Sequence, residues 1–183
     1  MAVTPNGHAP KRRGVSRPRS FLQNAMLAML AALFVAALIA QPVRVDGSSM
    51  MHSLNDKEMM LVTKYDYLPG GPRRFDVVVC RYPDRGVTNF VKRIVGLPGD
   101  TVSIRGGTLF VNGEMVDEDY LATRPDYFMQ ETTVGEGHYF VLGDNRANSS
   151  DSHLPAVGQL SRNQIIGKVR MVIWPLAEAR RVR

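Results

Sequence analysis

Phe90-Val91-Lys92-Arg93-Ile94-Val95-Gly96 decides how the chain is read. Its period of two puts Phe90, Lys92 and Ile94 on one face of an extended strand and Val91, Arg93 and Val95 on the other. A lysine between two large apolar neighbours has two readings. At a sheet edge its stem covers apolar surface while its head reaches water. Inside a sheet, burial disfavours the charge and leaves a neutral amine that can take a proton. The pattern alone leaves both open.

Outward from this strand the sequence keeps the same character. After Pro42 it consists of short β-branched and aromatic runs divided by Gly, Pro, Asn and Asp, which predicts a mainly β, antiparallel domain over residues 42–183. Strands are expected at Met59–Lys64, Phe75–Tyr82, Thr88–Val95, Thr101–Ile104, Thr108–Val111, His138–Leu142 and Ile165–Ile173. Arg105-Gly106-Gly107 and Val111-Asn112-Gly113-Glu114 read as tight hairpin turns, because glycine and asparagine accept positive φ. Residues 116–137 are acidic, aromatic and weakly patterned, and read as a surface insertion with one strand near Tyr127–Thr132.

A length of 183 residues with 44% hydrophobic content allows one ordinary domain and an anchor. From Ala25 to Ala40 no residue is polar, and Phe21-Leu22 extend the stretch, so residues 21–41 read as one transmembrane helix of about 20 residues. Lys11, Arg12, Arg13, Arg17 and Arg19 form a cytoplasmic basic tail over residues 1–20, and the positive-inside bias places everything after Gln41 outside the plasma membrane. A cleavable signal peptide is the competing reading, with Leu38-Ile39-Ala40 as its cleavage site. The net charge of +6 sits largely at the two ends, with no basic and aromatic stripe, which argues against a nucleic-acid partner. The single cysteine, Cys80, closes the apolar run Val77-Val78-Val79 and reads as a buried structural thiol, and no His/Cys cluster has metal-site spacing.

Three constellations carry chemistry. Val45-Asp46-Gly47-Ser48-Ser49-Met50 is a small turn that presents a hydroxyl, though Gly-Ser-Ser is also common in plain loops. A serine needs a base, and a buried Lys92 can be one. Gly143-Asp144-Asn145-Arg146-Ala147-Asn148-Ser149-Ser150-Asp151-Ser152-His153 follows a strand and reads either as a polar loop or as the source of a second hydroxyl and a bracing carboxylate. Lys57 and Lys64 are rival bases in polar surroundings. His8, His52, His138 and His153 lack the acid spacing and nucleophile elbow of a histidine triad.

Taken in order, Gly-x-Ser-Met, Phe-Asp-Val-Val-Val, Val-Lys-Arg-Ile-Val-Gly-Leu-Pro-Gly-Asp and Gly-Asp-Asn-Arg-x-x-Ser-x-Asp-Ser resemble bacterial type I signal peptidase over residues 20 to about 175. The resemblance implies a membrane-anchored serine endopeptidase with a Ser-Lys dyad that removes signal peptides from secretory preproteins after small residues at Ala-x-Ala type sites. By it, Ser49 is the nucleophile and Lys92 the general base. Ser149 orients the lysine, Asp151 is the loop carboxylate, and Gly47 and Ser48 belong to the oxyanion and lysine-orienting support. Met50 is assigned to substrate binding, with Met51, Leu54 and Leu61 lining the cleft or touching lipid, and core packing the alternative for Leu61. No cofactor and no metal are required; membrane lipid is the remaining partner.

Three positions depart from the family pattern. His52 and Ser53 stand where Pro-Thr is common, which removes rigidity from the turn. His153 stands where an arginine pairs with the loop aspartate, which makes that pairing sensitive to pH. Gly47 stands where some members place a serine hydroxyl, leaving backbone N–H groups, that of Ser49 first, to stabilise the oxyanion. Two other readings remain: a Ser-Lys maturation protease that uses the same residues on one dedicated partner such as a pilin or conjugation protein, and an inactive anchored binding module, which should lack the serine or the lysine that this chain retains.

Overall fold

The computed structural model describes residues 18–64, 67, 70–82, 86 and 88–182, the side chains of 18–20 and 36–38 excepted. The expected basic tail up to residue 17, with His8, lies outside them. The chain divides at residues 38/39.

Before that division lies a 22-residue helix, α1 (Pro18–Ile39), on which Phe21, Leu22, Leu27, Leu33 and Phe34 are exposed. Among the described residues, no helix is long and apolar enough to cross a membrane. The span expected to reach residue 41 ends earlier as helix: Ala40 and Gln41 already belong to strand β1 (Ala40–Arg44). Pro42 accounts for this, since it pushes Gln41 out of the helical region and cannot itself donate to a helix.

From residue 39 onward the protein is antiparallel β. Its strands after β1 are β2 (Met59–Thr63), β3 (Val77–Arg81), β4 (Asn89–Gly96), β5 (Thr101–Arg105), β6 (Thr108–Val111), β7 (Glu114–Met115), β8 (Met129–Thr133), β9 (His138–Leu142), β10 (Leu160–Ser161), β11 (Ile165–Trp174) and β12 (Arg180–Arg181). One sheet runs β1-β2-β11-β3-β4-β9-β10, with β12 beside β11; the other runs β7-β6-β5-β8. Every expected strand is present within a residue or two. Both turns join their strands through two residues, Gly106-Gly107 and Asn112-Gly113, all four with positive φ, as the twist of a two-residue hairpin demands.

The core falls into three clusters, and β4 touches all of them. Phe90 and Ile94 pack with Val78, Cys80 and Val141; Val91 packs with Val77, Val79 and Met50; Val95 packs with Val102, Ile104 and Leu142, where the two sheets meet. Both faces of β4 are therefore covered, and the strand lies between β3 and β9 in the sheet, pairing with β9 from Arg93 onward. Residues 116–137 are less superficial than the expected surface insertion: Pro125, Met129 and Val134 are buried, and β8 completes the second sheet by pairing with β5.

Candidate active site

Lys92 lies opposite Val78 in the β3–β4 ladder and is 2% exposed. Burial pushes its ammonium well below the ordinary lysine range, and the carboxylate of Asp151, with lesser contributions from Cys80 and Asp144, opposes that shift without cancelling it. Its Nζ lies 2.6 Å from Ser49 Oγ. With the amine neutral, the serine hydroxyl is the donor in this contact and the lysine the acceptor, the geometry general-base activation needs. The rival Lys57 is half exposed and paired with Asp46 and Asp56, and Lys64 is exposed.

Ser49 sits on a turn fixed from two sides. Met51 N–H donates to Ser48 C=O at 3.0 Å and Leu54 N–H to Met50 C=O at 2.8 Å, so the chain coils just after the serine. The 143–153 loop holds the same turn from across the site: Asn145 N–H donates to Ser49 C=O and Asn145 Nδ2 to Ser48 C=O, both at 3.0 Å, and Asn148 Nδ2 donates to Ser48 Oγ at 2.8 Å. Ser48 is thus engaged as an acceptor that locks the turn. Gly47 adopts φ +108, and its N–H donates to Asp56 Oδ1 at 2.8 Å.

Gly143 is the closest approach in the site. A Cβ on it would lie 2.2 Å from Ser149 Oγ and 2.5 Å from Ser49 O, distances no side chain can occupy. Its N–H donates to Asp151 Oδ2 at 2.8 Å and its C=O accepts from Arg146 Nε at 3.1 Å. Asp151 is fully buried, and its other oxygen faces His153 Nδ1 at 2.6 Å. Ser149 Oγ is buried beside this backbone without a hydrogen-bond partner among the described residues, so the expected bond to Lys92 is not formed here. An unsatisfied buried hydroxyl costs roughly 1–3 kcal/mol.

A cleft of about 370 Å³ opens beside Ser49, lined among others by Val43, Arg44, Val45, Val79, Phe90 and Val91. Two unpaired strand edges flank it. Among the described residues β1 pairs only with β2, and β4 pairs with β9 only from Arg93 onward, leaving Asn89–Lys92 unpaired on that side. Met50 reaches this cleft from beneath but is 2% exposed and packs in the core with Leu54, Met60 and Val62. The expected substrate contact is thus mainly a core residue, because the coil after Ser49 turns its side chain inward.

The sequence reading missed Arg93. On the face of β4 opposite Lys92 it is buried, binds both carboxylate oxygens of Asp144, and donates to Phe75 C=O at 3.0 Å. The available signal was an arginine in an alternating apolar run, since a buried cation requires a buried partner. Among the described residues, no group of three or more His, Cys, Asp or Glu side chains could hold a metal ion.

Comparison with known families gives this geometry its context. The family model for signal peptidase, peptidase S26, matches residues 19–174. The chain belongs to the signal peptidase family, peptidase S26. It is 36% identical to signal peptidase I S of Bacillus subtilis (strain 168) over 185 residues, covering 93% of this chain and 98% of that one. It is 35% identical to signal peptidase I U of the same strain over 173 residues, covering 86% and 91%. A solved signal peptidase I from Enterococcus faecalis V583 is 37% identical, covers 53% of this chain and 95% of its own, and superposes with a TM-score of 0.46. As a member of this peptidase family the protein is a serine endopeptidase with a mainly antiparallel β fold.

Proposed function

We propose that the protein removes signal peptides from secretory preproteins after small residues, at Ala-x-Ala type sites, with Ser49 as nucleophile and Lys92 as general base. The observation that carries this reading is the 2.6 Å contact between Ser49 Oγ and the Nζ of a buried lysine whose charge burial disfavours.

The reaction is acyl transfer. Neutral Lys92 takes the Ser49 proton as Oγ attacks the scissile carbonyl, and backbone N–H groups around Ser49 stabilise the oxyanion. The Lys92 ammonium gives its proton to the leaving amine as the C–N bond breaks, and Ser149 Oγ accepts from the ammonium while it is charged. Water, deprotonated by Lys92, then hydrolyses the acyl-enzyme. The unpaired edges of β1 and β4 accept the substrate as an added strand, whose alternate side chains meet the small apolar cleft. Exclusion from that space selects small residues.

In this reading the apolar stretch from residue 21 to the end of α1 at Ile39 is the membrane anchor, with residues 1–20 cytoplasmic and the β domain from Ala40 onward extracytoplasmic. It is supported by the run without a polar residue from Ala25 to Ala40 and by the exposed apolar side chains along α1. The substrate's own apolar segment then lies in the same bilayer as the enzyme's.

The test is cleavage of a synthetic preprotein with an Ala-x-Ala site in detergent. Wild type should cut after the last alanine, and Ser49→Ala and Lys92→Ala should abolish the cut while remaining folded. A wild-type enzyme that leaves this preprotein intact in lipid is instead a protease dedicated to another partner, or a binding module.

A further inference from the structure

Three side chains of residues 116–137 reach the scaffold beneath Ser49 and Lys92, and none of them touches the dyad. Glu118 binds Arg146 through both carboxylate oxygens, and both side chains are buried. Tyr120 lays its ring 4.0 Å from the guanidinium carbon of Arg93, and its hydroxyl donates to Glu118. Tyr127 stacks on His153 with ring centroids 4.5 Å apart and planes 18° from parallel.

Each of these covers a group that anchors the 143–153 loop. Arg146 holds the carbonyl of Gly143; Arg93 holds the carboxylate of Asp144; His153 faces the oxygen of Asp151 that is not bound to the Gly143 N–H. Gly143 is in turn the backbone against which Ser49 O and Ser149 Oγ pack, too tightly for a methyl group. A close-packed interior transmits displacement. Movement of Arg146, Arg93 or His153 therefore displaces the backbone that sets where Ser49 stands relative to Lys92.

We propose that residues 116–137 position the catalytic dyad, with Glu118, Tyr120 and Tyr127 holding the Gly143–Asp151 loop in register through Arg146, Arg93 and His153. The proposal rests on the Ser49–Lys92 reading above. It makes Glu118 and Tyr120 positioning residues for the chemical step, and it gives the segment no part in holding substrate. The contacts themselves favour this role over simple stabilisation. Glu118 and Tyr120 meet each other as well as two separate arginines, so one patch of the segment fixes two consecutive residues, Gly143 and Asp144.

The experiment uses the full chain in detergent and follows steady-state cleavage of a synthetic preprotein alongside thermal unfolding. Glu118→Gln keeps the shape and removes the charge that Arg146 needs. It should lower kcat about tenfold and leave KM within about twofold, because a small misplacement of reacting groups acts on the chemical step. Tyr120→Leu should do the same. Tyr120→Phe, which keeps a ring over Arg93, should restore kcat to within about threefold of wild type. In an Arg146→Met background, Glu118→Gln should cause no further loss. If Tyr120→Leu does not fold, Glu118→Gln decides.

Folded Glu118→Gln and Tyr120→Leu variants that keep wild-type kcat overturn the proposal and leave the dyad reading standing. A defect confined to KM also overturns it, by placing the segment on the substrate. A Ser49→Ala enzyme that still cleaves, or a wild type that does not, overturns the dyad reading and this proposal together.

Discussion

The guanidinium of Arg93 grips both oxygens of Asp144, at 2.9 and 2.7 Å, on the side of β4 that faces away from Lys92. One strand thus carries a buried cation with its partner on one face and a buried amine without a carboxylate bonded to it on the other. The first braces the 143–153 loop, and the second is the base of the mechanism proposed above.

Breaking the Arg93–Asp144 pair from one side should be costly. Asp144→Ala leaves a buried guanidinium without its carboxylate and should lose about 3–5 kcal/mol. Denaturant unfolding measures this loss. Replacing both residues with Met and Leu should recover a large part of it, because the remaining cost is then mostly packing.

The depressed pKa of Lys92 makes two predictions about pH. Activity should rise with pH as the buried ammonium loses its proton, and the acid limb of the kcat/KM profile should report that group. For stability, the unfolded chain binds a proton at this lysine up to its ordinary value of 10.5, while the folded chain has already released it. Stability therefore rises with pH between the folded value and 10.5. Lys92→Met should be more stable than wild type at neutral pH, by a margin that shrinks as pH approaches 10.5; a margin that does not change with pH contradicts this.

Gly143→Ala should inactivate the enzyme by about 100-fold or more, since the new methyl group meets both Ser149 Oγ and the Ser49 carbonyl. Adding Ser149→Gly removes only the first clash. The double variant should stay inactive in the preprotein assay, because the second obstacle is backbone.

His52 has φ +76, a conformation proline cannot adopt. Installing the family's common proline by His52→Pro should therefore destabilise this chain, by about 3 kcal/mol, and impair cleavage. His52→Gly should be tolerated or should stabilise by up to about 1 kcal/mol. Thermal melts of the two variants separate these outcomes.

Much of this was legible in the sequence, for local reasons. Strands β2, β6 and β11 carry a period of two, β3 and β9 are short buried runs bounded by turn residues, and the two hairpins carry residue types that fit their turns. Lys92 could be picked out because its neighbours on the same face, Phe90 and Ile94, are large and apolar. β1 could not, because Ala40-Gln41-Pro42 directly follows an apolar run and has no alternation of its own; it becomes a strand by pairing with β2. Arg93 and Glu118 look like surface charges until their partners are known. Those partners, Asp144 and Arg146, lie 51 and 28 residues further along the chain. Ser149 was read as a hydrogen-bond partner of Lys92, yet its hydroxyl packs against Gly143, a contact set by backbone proximity that side-chain type does not encode.

The edge of β1 also bears on self-association. An unpaired strand edge beside a cleft can template pairing with another copy of the same protein. Pro42 has no N–H to offer a ladder, and a symmetric antiparallel pair centred on the exposed Arg44 would set two guanidinium groups opposite each other. A single extended guest with small uncharged side chains brings no like charge opposite Arg44. An edge built this way is thereby protected against becoming the seed of an aggregate.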